Sequence, residues 1–448
     1  MRSDLLKYNV AAPRYTSYPT VPFWEAEQWS IEGWLNSVKT SYTQRTEEGI
    51  SLYIHLPFCE SLCTYCGCNT RITKNHGVEL PYINAVIKEW KLYCALLENK
   101  PLIREIHLGG GTPTFFSAEN LSVLINGILE SARIASEHSF SFEAHPANTT
   151  YQHLETLYQL GFRRLSLGIQ DFDPAVQEII NRNQSFAQVK AITDAARAIG
   201  YTSINYDLIY GLPLQKMASV EDTIRQVLSL MPERIAFYSY AHVPWLKPGQ
   251  RKFTEDDLPR DNEKLALYER GRDLLLKAGY FDIGMDHFSL VNDSLFKASK
   301  NETLHRNFMG YTDQRTQLLI GLGVSSVSDS WNAFAQNTKQ VETYLETIEQ
   351  GKFPLVKGHI LTHNDLKFRK HILNIMCKGN TECNWQDFHI HQIRERLIPL
   401  ENDGLIELHH NELHVTKTGK SFLRNICMAF DERLWNNKSQ SQLFSKAI

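Results

Sequence analysis

The 448-residue chain lacks strong net charge, long apolar runs and an export signal. It has 47 Lys and Arg against 50 Asp and Glu, a formal net charge of −3, which disfavours a nucleic-acid partner. No apolar run approaches the roughly 20 residues that cross a membrane. The N-terminus MRSDLLKYNV has no apolar signal core. We therefore expect a cytoplasmic protein with neither a nucleic-acid nor a membrane partner.

Cysteine is scarce outside one short segment. Four of the eight cysteines lie in CESLCTYCGCN, residues 59–69, with no second pair downstream at zinc-ribbon spacing. In a reducing compartment such clustered thiols are more often metal ligands than disulfides. One compact loop suits a cubane iron–sulfur cluster, in which Cys59, Cys63 and Cys66 hold three irons. Cys68 either supplies a fourth ligand or leaves one iron open, and a purely structural cluster or zinc site is the alternative.

Short β-like runs alternate with helical segments from residue 51 to about residue 242. This alternation predicts parallel strands joined by right-handed crossovers. The six runs are SLYIHLPF, EIHLGGG, SFSFEAHP, RLSLGIQDF, SINYDLIYG and RIAFYSYAH.

One face of nearly every predicted strand is polar. Tyr53, Glu143, Gln170 and Asp207 alternate with apolar neighbours, whereas a sheet covered by helices on both faces would be apolar throughout. The pattern therefore predicts an α/β fold, a partial (β/α)6 TIM-like barrel whose lumen is a binding cavity.

Three regions are expected along the chain. Residues 1–50 form an N-terminal arm and a leading helix, and residues 51–355 form the barrel with an extension. Residues 356–448 form a smaller, mostly helical domain, in which a hairpin turning near Asn411 and a following helix are typical of a winged-helix module. Its low density of basic residues favours a structural lid over a DNA reader.

Ten motifs are spread along the chain from about residue 8 to the C-terminus. They are YNVAAPRYTSYPT, LYIHLPFCESLCTYCGCNT, IHLGGGTPTFF, RLSLGIQDFD, INRNQ, DLIYGLPLQ, YAHVPWLKPGQRK, GMDHF, LHRNFMGYT and LRNICMAFD. Together they resemble one family of the radical S-adenosylmethionine (SAM) superfamily, the oxygen-independent coproporphyrinogen III oxidases (dehydrogenases). The arm PRYTSYPT and the CGCN ending are the most discriminating parts of this resemblance.

The resemblance implies a [4Fe–4S] cluster on Cys59, Cys63 and Cys66, with Cys68 not a ligand, and two SAM molecules. Tyr53, Glu143 and Val327 would contact the cluster-bound SAM. Gln170, Arg182, Asp207 and Ala241 would contact the second. The full set of implied cofactor contacts is Tyr53, Tyr65, Gly110, Gly111, Thr112, Glu143, Gln170, Arg182, Asp207, Ala241 and Val327.

The implied reaction is the oxidative decarboxylation of two propionates of coproporphyrinogen III to vinyl groups, started by a 5′-deoxyadenosyl radical. The resemblance also implies a monomer that receives electrons from a flavodoxin or ferredoxin system. A substrate with four carboxylates needs cationic or hydroxyl partners. The candidates are Arg14, Tyr15, Thr16 and Tyr18 in the arm, then Lys247, Arg251 and Arg306.

The chain departs from the family pattern at His145, where an acidic residue is common, and at Arg315 and Thr316, where glycine and aspartate are expected. These departures bear on substrate placement. Two alternatives stay open: a haem- or porphyrin-binding chaperone on the same scaffold, and another tetrapyrrole-modifying radical SAM enzyme.

Overall fold

The computed structural model describes residues 3–97, 99–384, 388–437 and 444–446. Its helices are α1 Ile31–Gln44, α2 Glu79–Leu96, α3 Ala118–Leu129, α4 Tyr151–Gln159, α5 Pro174–Ile179, α6 Phe186–Ile199, α7 Met217–Leu230, α8 Asp261–Lys277, α9 Ser294–Lys300, α10 Val341–Glu349, α11 His363–Lys378, α12 Phe388–Asn402, α13 Leu423–Met428 and α14 Glu432–Asn436. Its strands are β1 Ile50–Leu56, β2 Phe58–Cys59, β3 Arg71–Ile72, β4 Leu102–Gly110, β5 Arg133–Ala144, β6 Phe162–Gln170, β7 Ser203–Tyr210, β8 Arg234–Ser239, β9 Phe281–Gly284, β10 His287–Ser289, β11 His305–Asn307, β12 Gly310–Thr312, β13 Leu319–Leu322, β14 Val327–Asp329, β15 Ala333–Asn337, β16 Leu355–Ile360, β17 Asn380–Glu382, β18 Ile406–His409 and β19 Glu412–Val415.

One large sheet has the order β16-β15-β14-β13-β1-β4-β5-β6-β7-β8-β10-β9. The six strands β1, β4, β5, β6, β7 and β8 pair in parallel, and they are the six predicted runs. The sheet ends in two different strands and so stays open. The prediction of a partial (β/α)6 barrel is confirmed.

Helices cover the outer face of this sheet. Ile54 and Phe142 point outward from their strands and are fully buried, and Ile83, Val86 and Trp90 of α2 pack into the same core. Burying an apolar side chain of this size stabilises the fold by about 1.5–3 kcal/mol. Because side chains alternate along a strand, the polar residues of the same strands face the lumen.

A buried carboxylate ties α2 to the antiparallel extension of the sheet. Glu89 accepts hydrogen bonds from the Gly323 N–H (2.8 Å), Asn337 Nδ2 (2.7 Å) and the Tyr344 hydroxyl (2.7 Å). Burial raises the pKa of Glu89 to about 7, although these three hydrogen bonds act to lower it. The carboxyl group therefore holds the start of the β13–β14 turn and the β15 strand against the barrel.

The N-terminal arm packs into a second hydrophobic core that the C-terminal region supplies. Tyr15 and Tyr18 are buried there, and the Tyr15 hydroxyl donates to Asp431 Oδ2 over 3.0 Å. The Tyr18 ring meets Phe368 edge-on at 6.4 Å between centroids. The arm is thus part of the C-terminal core instead of lying loose on the surface.

Backbone contacts also join the two ends of the chain. The Ala12 N–H donates to the Ser445 oxygen over 3.0 Å, and Arg424 Nε donates to the Pro13 oxygen over 3.1 Å. These bonds fix the segment that precedes Arg14, which is a predicted substrate contact.

The C-terminal region runs α11, β17, α12, β18, β19 and α13, with the strand order β17-β19-β18. The β18–β19 hairpin turns at His410 and Asn411, as the sequence predicts, so the winged-helix-like order is confirmed. The division at residues 50/51 and 355/356 stays a prediction; β16 continues the large sheet to Ile360. Among the described residues, no helix has the length and hydropathy of a membrane span.

Candidate active site

A cavity of about 310 Å³ opens at the carboxyl ends of the parallel strands, where barrel enzymes place their chemistry. Its walls bring together most of the predicted site residues. These are Cys59, Cys63, Tyr65, Cys66, Gly110, Gly111, Thr112, Glu143, Gln170, Arg182 and Asp207. The volume is at the lower end of the range for small-molecule sites and fits one ligand of that class.

The cysteine loop follows β1 and is anchored at both ends. Its start, β2, pairs in parallel with β3, which comes just after the loop. The Thr64 N–H and hydroxyl donate to the oxygens of Ile180 and Ile179, each over 3.0 Å. Asn181 Nδ2 donates to the Leu62 oxygen over 2.7 Å. The loop is therefore held against the α5 end before any cofactor binds.

The thiols of the loop differ in acidity. Hydrogen bonding from Cys68, aided by the charges of Lys247 and Arg182, lowers the pKa of the Cys66 thiol to about 6 against the effect of burial. Burial, with the neighbouring Cys66 and Cys63 sulfurs, raises the pKa of Cys59 to about 11. Gathering several thiolates here needs a compensating cation.

The donor set fits an iron–sulfur cluster. All four cysteines of the loop are free thiols and line one cavity, and soft thiolates select soft metals or iron–sulfur clusters. In the described part of the chain, no three His, Cys, Asp or Glu side chains are already gathered around a point that could hold one metal ion. A cubane offers each thiolate a separate iron, so its ligands need not converge on one point.

The glycine run Gly109 to Gly111, at the end of β4, allows two backbone segments to come into contact. A Cβ on Gly110, whose φ is +113°, would lie 2.6 Å from the His55 ring, and one on Gly111 would lie 2.6 Å from the Pro57 carbonyl. The Gly110 N–H donates to Glu143 Oε2 over 3.2 Å and the Gly111 N–H to the Leu56 oxygen over 2.8 Å. These two N–H groups are therefore used within the protein.

Two carboxylates on the lumen face have different environments. The His107 side chain and the Gly110 N–H lower the pKa of Glu143 despite its burial. Burial and the nearby Glu143 charge raise the pKa of Asp207 to about 6, although Ser166 and Asn205 donate to it, each over 2.9 Å. A cation placed between the two carboxylates would lower the pKa of Asp207 again.

Arg182 is buried and held on every side of its guanidinium. Nε donates to Gln184 Oε1 (3.2 Å) and Nη2 to the Gly168 oxygen, while Nη1 donates to the Tyr65 hydroxyl (3.2 Å) and Cys63 Sγ (3.7 Å). The guanidinium therefore links β6 to the cysteine loop. This role in positioning the loop is not evident from sequence, because the acceptors are backbone and side-chain atoms from separate elements.

Three predicted cofactor contacts are outside the described lining of the cavity. Tyr53 lies deeper in the lumen, with its hydroxyl 3.1 Å from His55 Nδ1. Ala241 accepts from Gln250 Nε2 over 3.2 Å, and the same nitrogen reaches the Tyr65 oxygen. Val327 lies on β14, beside β13 and one strand away from Tyr53.

The arm residues divide into two groups. Tyr15 and Tyr18 point into the C-terminal core, and Thr16 is half-buried. Arg14 alone approaches the cavity: its Cζ lies 5.9 Å from the ring centroid of Tyr238, a lining residue. The substrate roles of these four residues stay predictions.

The other cationic candidates also have defined positions. Lys247 Nζ donates to the Cys68 oxygen over 3.2 Å, so this lysine lies on the cysteine loop. Arg251 is exposed and donates to the Pro244 oxygen. Arg306 is buried behind the cavity wall.

Sequence reasoning left some lining residues unassigned. His145, Asn148, Ser166 and Tyr238 all contribute to the walls. Strand parity could have identified two of them, since Ser166 shares its face of β6 with Gln170, and Tyr238 alternates with Phe237 on β8.

Comparisons with known proteins agree with the geometry. Residues 53–227 match the sequence model of the radical SAM superfamily. The oxygen-independent coproporphyrinogen III oxidases of Synechocystis sp. and Escherichia coli are 37% and 36% identical to this chain, each over 99% of it and 97% of the relative. The solved structure of coproporphyrinogen III oxidase from Escherichia coli, a radical SAM enzyme, superposes with a TM-score of 0.89 at 35% identity. It covers 96% of this chain and 98% of that one. The chain therefore belongs to the oxygen-independent coproporphyrinogen III oxidases, a family within the radical SAM superfamily.

Proposed function

We propose that this protein converts two propionate side chains of coproporphyrinogen III to vinyl groups without oxygen, giving protoporphyrinogen IX in haem biosynthesis. The observation that carries the proposal is one cavity into which Cys59, Cys63 and Cys66 open opposite Glu143 and Asp207. Full-length similarity to enzymes of that name supports the choice of substrate.

Cys59, Cys63 and Cys66 would hold a [4Fe–4S] cluster, and Cys68 would stay outside its coordination. When bound, the cluster and SAM supply an electron and a 5′-deoxyadenosyl radical, which makes the enzyme an oxidoreductase. The cavity volume of about 310 Å³ suits one SAM-sized ligand. The second SAM molecule is therefore the part of the proposal that a binding stoichiometry tests most directly.

The protein's own residues bind, orient and exclude water. Glu143 is an ionised acceptor for ligand hydroxyl or ammonium groups, and Asp207 offsets a sulfonium charge. Arg182 fixes Tyr65 and the Cys63 sulfur in position. Gly110, Gly111 and Thr112 let the ligand approach the backbone at the strand ends.

Three further parts of the proposal concern the cellular setting. The electrons come from a donor such as a flavodoxin or ferredoxin system. The protein acts as a monomer in the cytoplasm. Its arm, barrel and C-terminal region, residues 1–50, 51–355 and 356–448, act together on a tetrapyrrole.

The test is anaerobic reconstitution with iron and sulfide, followed by SAM, reductant and coproporphyrinogen III. Mass spectrometry should show the loss of two carbon dioxide molecules together with 5′-deoxyadenosine. The Cys59→Ala variant is the matched negative control. A stable haem complex without turnover would favour the chaperone, and SAM cleavage without a vinyl product would favour a different tetrapyrrole reaction.

A further inference from the structure

A buried guanidinium lies beside the inner wall of the cavity with too few acceptors. Arg306 in β11 is 5% exposed. Its Nη2 donates to the Arg14 oxygen over 3.2 Å, and its Cζ lies 4.7 Å from the Tyr311 ring centroid. Its Nε and Nη1 atoms are buried without a hydrogen-bond partner in the described ranges. Buried charged donors are normally paired, so this group marks a place that an acceptor completes.

Positive charge is in excess around Arg306. The carboxylate of Asp286 is buried, which raises its pKa, and it faces the guanidinium groups of Arg14, Arg424 and Arg306, which lower it. Arg14 Nη1 is 3.8 Å from Asp286 Oδ2, and its Nη2 donates to the Ser239 oxygen over 3.1 Å. Three cations thus face Asp286, and the other carboxylate near it, Asp282, is paired with Arg272 over 2.9 Å, so the balance calls for an anion.

The arginines deeper in the lumen have carboxylates of their own. Arg234 Nε lies 2.7 Å from Asp293 Oδ1, and Arg164 Nη1 lies 3.9 Å from Asp313 Oδ1. These two arginines are therefore paired, whereas Arg306 has no carboxylate of its own within 4 Å among the described residues.

Tyr238 connects this group to the cavity. Its ring lines the cavity, and on the other side it meets Arg14 (5.9 Å) and the His287 ring (5.7 Å). His287 Nδ1 is also buried without a partner among the described residues. Burial and the charges of Arg306, Arg234 and Arg14 lower the pKa of His287 to about 3, so the ring is neutral and adds no charge.

We propose that Arg306 and Arg14 form a carboxylate-binding subsite that holds one propionate of the tetrapyrrole. This rests on the proposed function. A porphyrinogen that presents one propionate to the cysteine side of the cavity directs others away from it. Tyr238 lines the same cavity as the cysteine loop, and a carboxylate beyond its ring would accept from the unpaired nitrogens of Arg306.

The test compares wild-type holoenzyme with Arg306→Met in binding coproporphyrin III, followed by fluorescence. Hydrogen bonds to charged groups predict an affinity loss of about 10- to 100-fold. Arg225→Gln removes an exposed cation on α7 and is the matched control, expected to bind like wild type. Because Met removes an unpaired buried charge, Arg306→Met should melt at the wild-type temperature or higher. A purely structural arginine would instead lower the melting temperature.

A second ligand makes the assignment specific. The tetramethyl ester of coproporphyrin III has no carboxylate, so wild type should bind the acid better than the ester, and Arg306→Met should lose most of that preference. In turnover, Arg306→Met should raise KM with an unchanged iron content and unchanged SAM cleavage in the absence of substrate.

Unchanged affinity and KM in Arg306→Met, with wild-type enzyme active, would overturn the subsite and assign water to the unpaired nitrogens. Equal loss of acid and ester binding would also overturn it. Wild-type enzyme that neither binds coproporphyrin III nor acts on coproporphyrinogen III would instead refute the proposed function.

Discussion

Arg182 Nη1 donates to the Sγ atom of Cys63 over 3.7 Å, so a guanidinium from the loop between α5 and α6 directly contacts a sulfur proposed to bind iron. The same nitrogen reaches the Tyr65 hydroxyl, while Nη2 is held by the Gly168 oxygen. The cysteine loop is thereby tied to the far side of the cavity.

Replacing Arg182 by lysine keeps the charge but removes this fork of donors. We expect Arg182→Lys to reconstitute with less iron and to bind SAM about 10-fold more weakly or worse. Iron and sulfide per chain, and the SAM Kd by equilibrium dialysis, measure this.

Arg163→Lys is the matched control. Arg163 lies on β6, the strand whose Gly168 oxygen holds Arg182, but its guanidinium packs over the Tyr158 ring, with Cζ 3.8 Å from the centroid, away from the lumen. Equal iron content and SAM affinity in Arg182→Lys and wild type would show that the contact with Cys63 is incidental.

The four cysteines of the loop should not be equivalent. Cys59→Ala, Cys63→Ala and Cys66→Ala should each lose the cluster, whereas Cys68→Ala should keep it. Iron content and the electron paramagnetic resonance spectrum of the reduced protein measure the difference. A SAM-dependent change in that spectrum should persist in Cys68→Ala, and its loss together with the iron would make Cys68 a ligand.

Gly111 and Gly67 both line the cavity, but they differ in the space that an added Cβ would find. In Gly111→Ala the new Cβ would lie 2.6 Å from the Pro57 carbonyl, so backbone must move. We expect a loss of stability of about 1–3 kcal/mol, visible in thermal melts. Gly67→Ala is the control within the cysteine loop, because a Cβ there meets nothing within 4 Å. Similar melting temperatures for the two variants would contradict the close approach of the strands.

Glu89 should make the stability of the protein depend on pH. Its pKa is raised from 4.5 to about 7 in the folded state, so the folded chain keeps a proton that the unfolded chain has released between these values. The free energy of unfolding therefore falls by roughly 3 kcal/mol as pH rises from 4.5 to 7, and this group causes no further change above pH 7.

Glu89→Gln removes the titration and should flatten this part of the pH profile. In urea unfolding, the free energy of unfolding of Glu89→Gln relative to wild type should be higher at pH 8 than at pH 5. Glu346→Gln, which changes an exposed residue of α10, is the control and should follow wild type. Parallel profiles for Glu89→Gln and wild type would show that the carboxyl group is ionised throughout.

The barrel and its polar lumen could be predicted because strand alternation is a local property. Tyr53, Glu143 and Asp207 face inward since their neighbours must be buried under helices. The cysteine spacing is likewise a local property, so the sequence alone identifies the cysteine loop.

Other features depend on partners distant in sequence. The sequence makes Tyr15 and Tyr18 candidate substrate contacts, and only their burial against Asp431 and Phe368 shows where they point. The strands β13–β16 are short, and the β13–β14 turn and β15 are held by Glu89 on a distant helix. The acceptors of Arg182 likewise lie on separate elements and cannot be identified from the sequence alone.

The bonds between residues 12–13 and residues 424–445 have a consequence for biogenesis. Arg424 is 411 positions from Pro13, so the arm is synthesised long before the residues that bind it exist. Domains generally fold as they emerge, and the strands from β1 to β16 are complete by Ile360. The arm can therefore dock in its final place only after residues 424–445 have emerged from the ribosome.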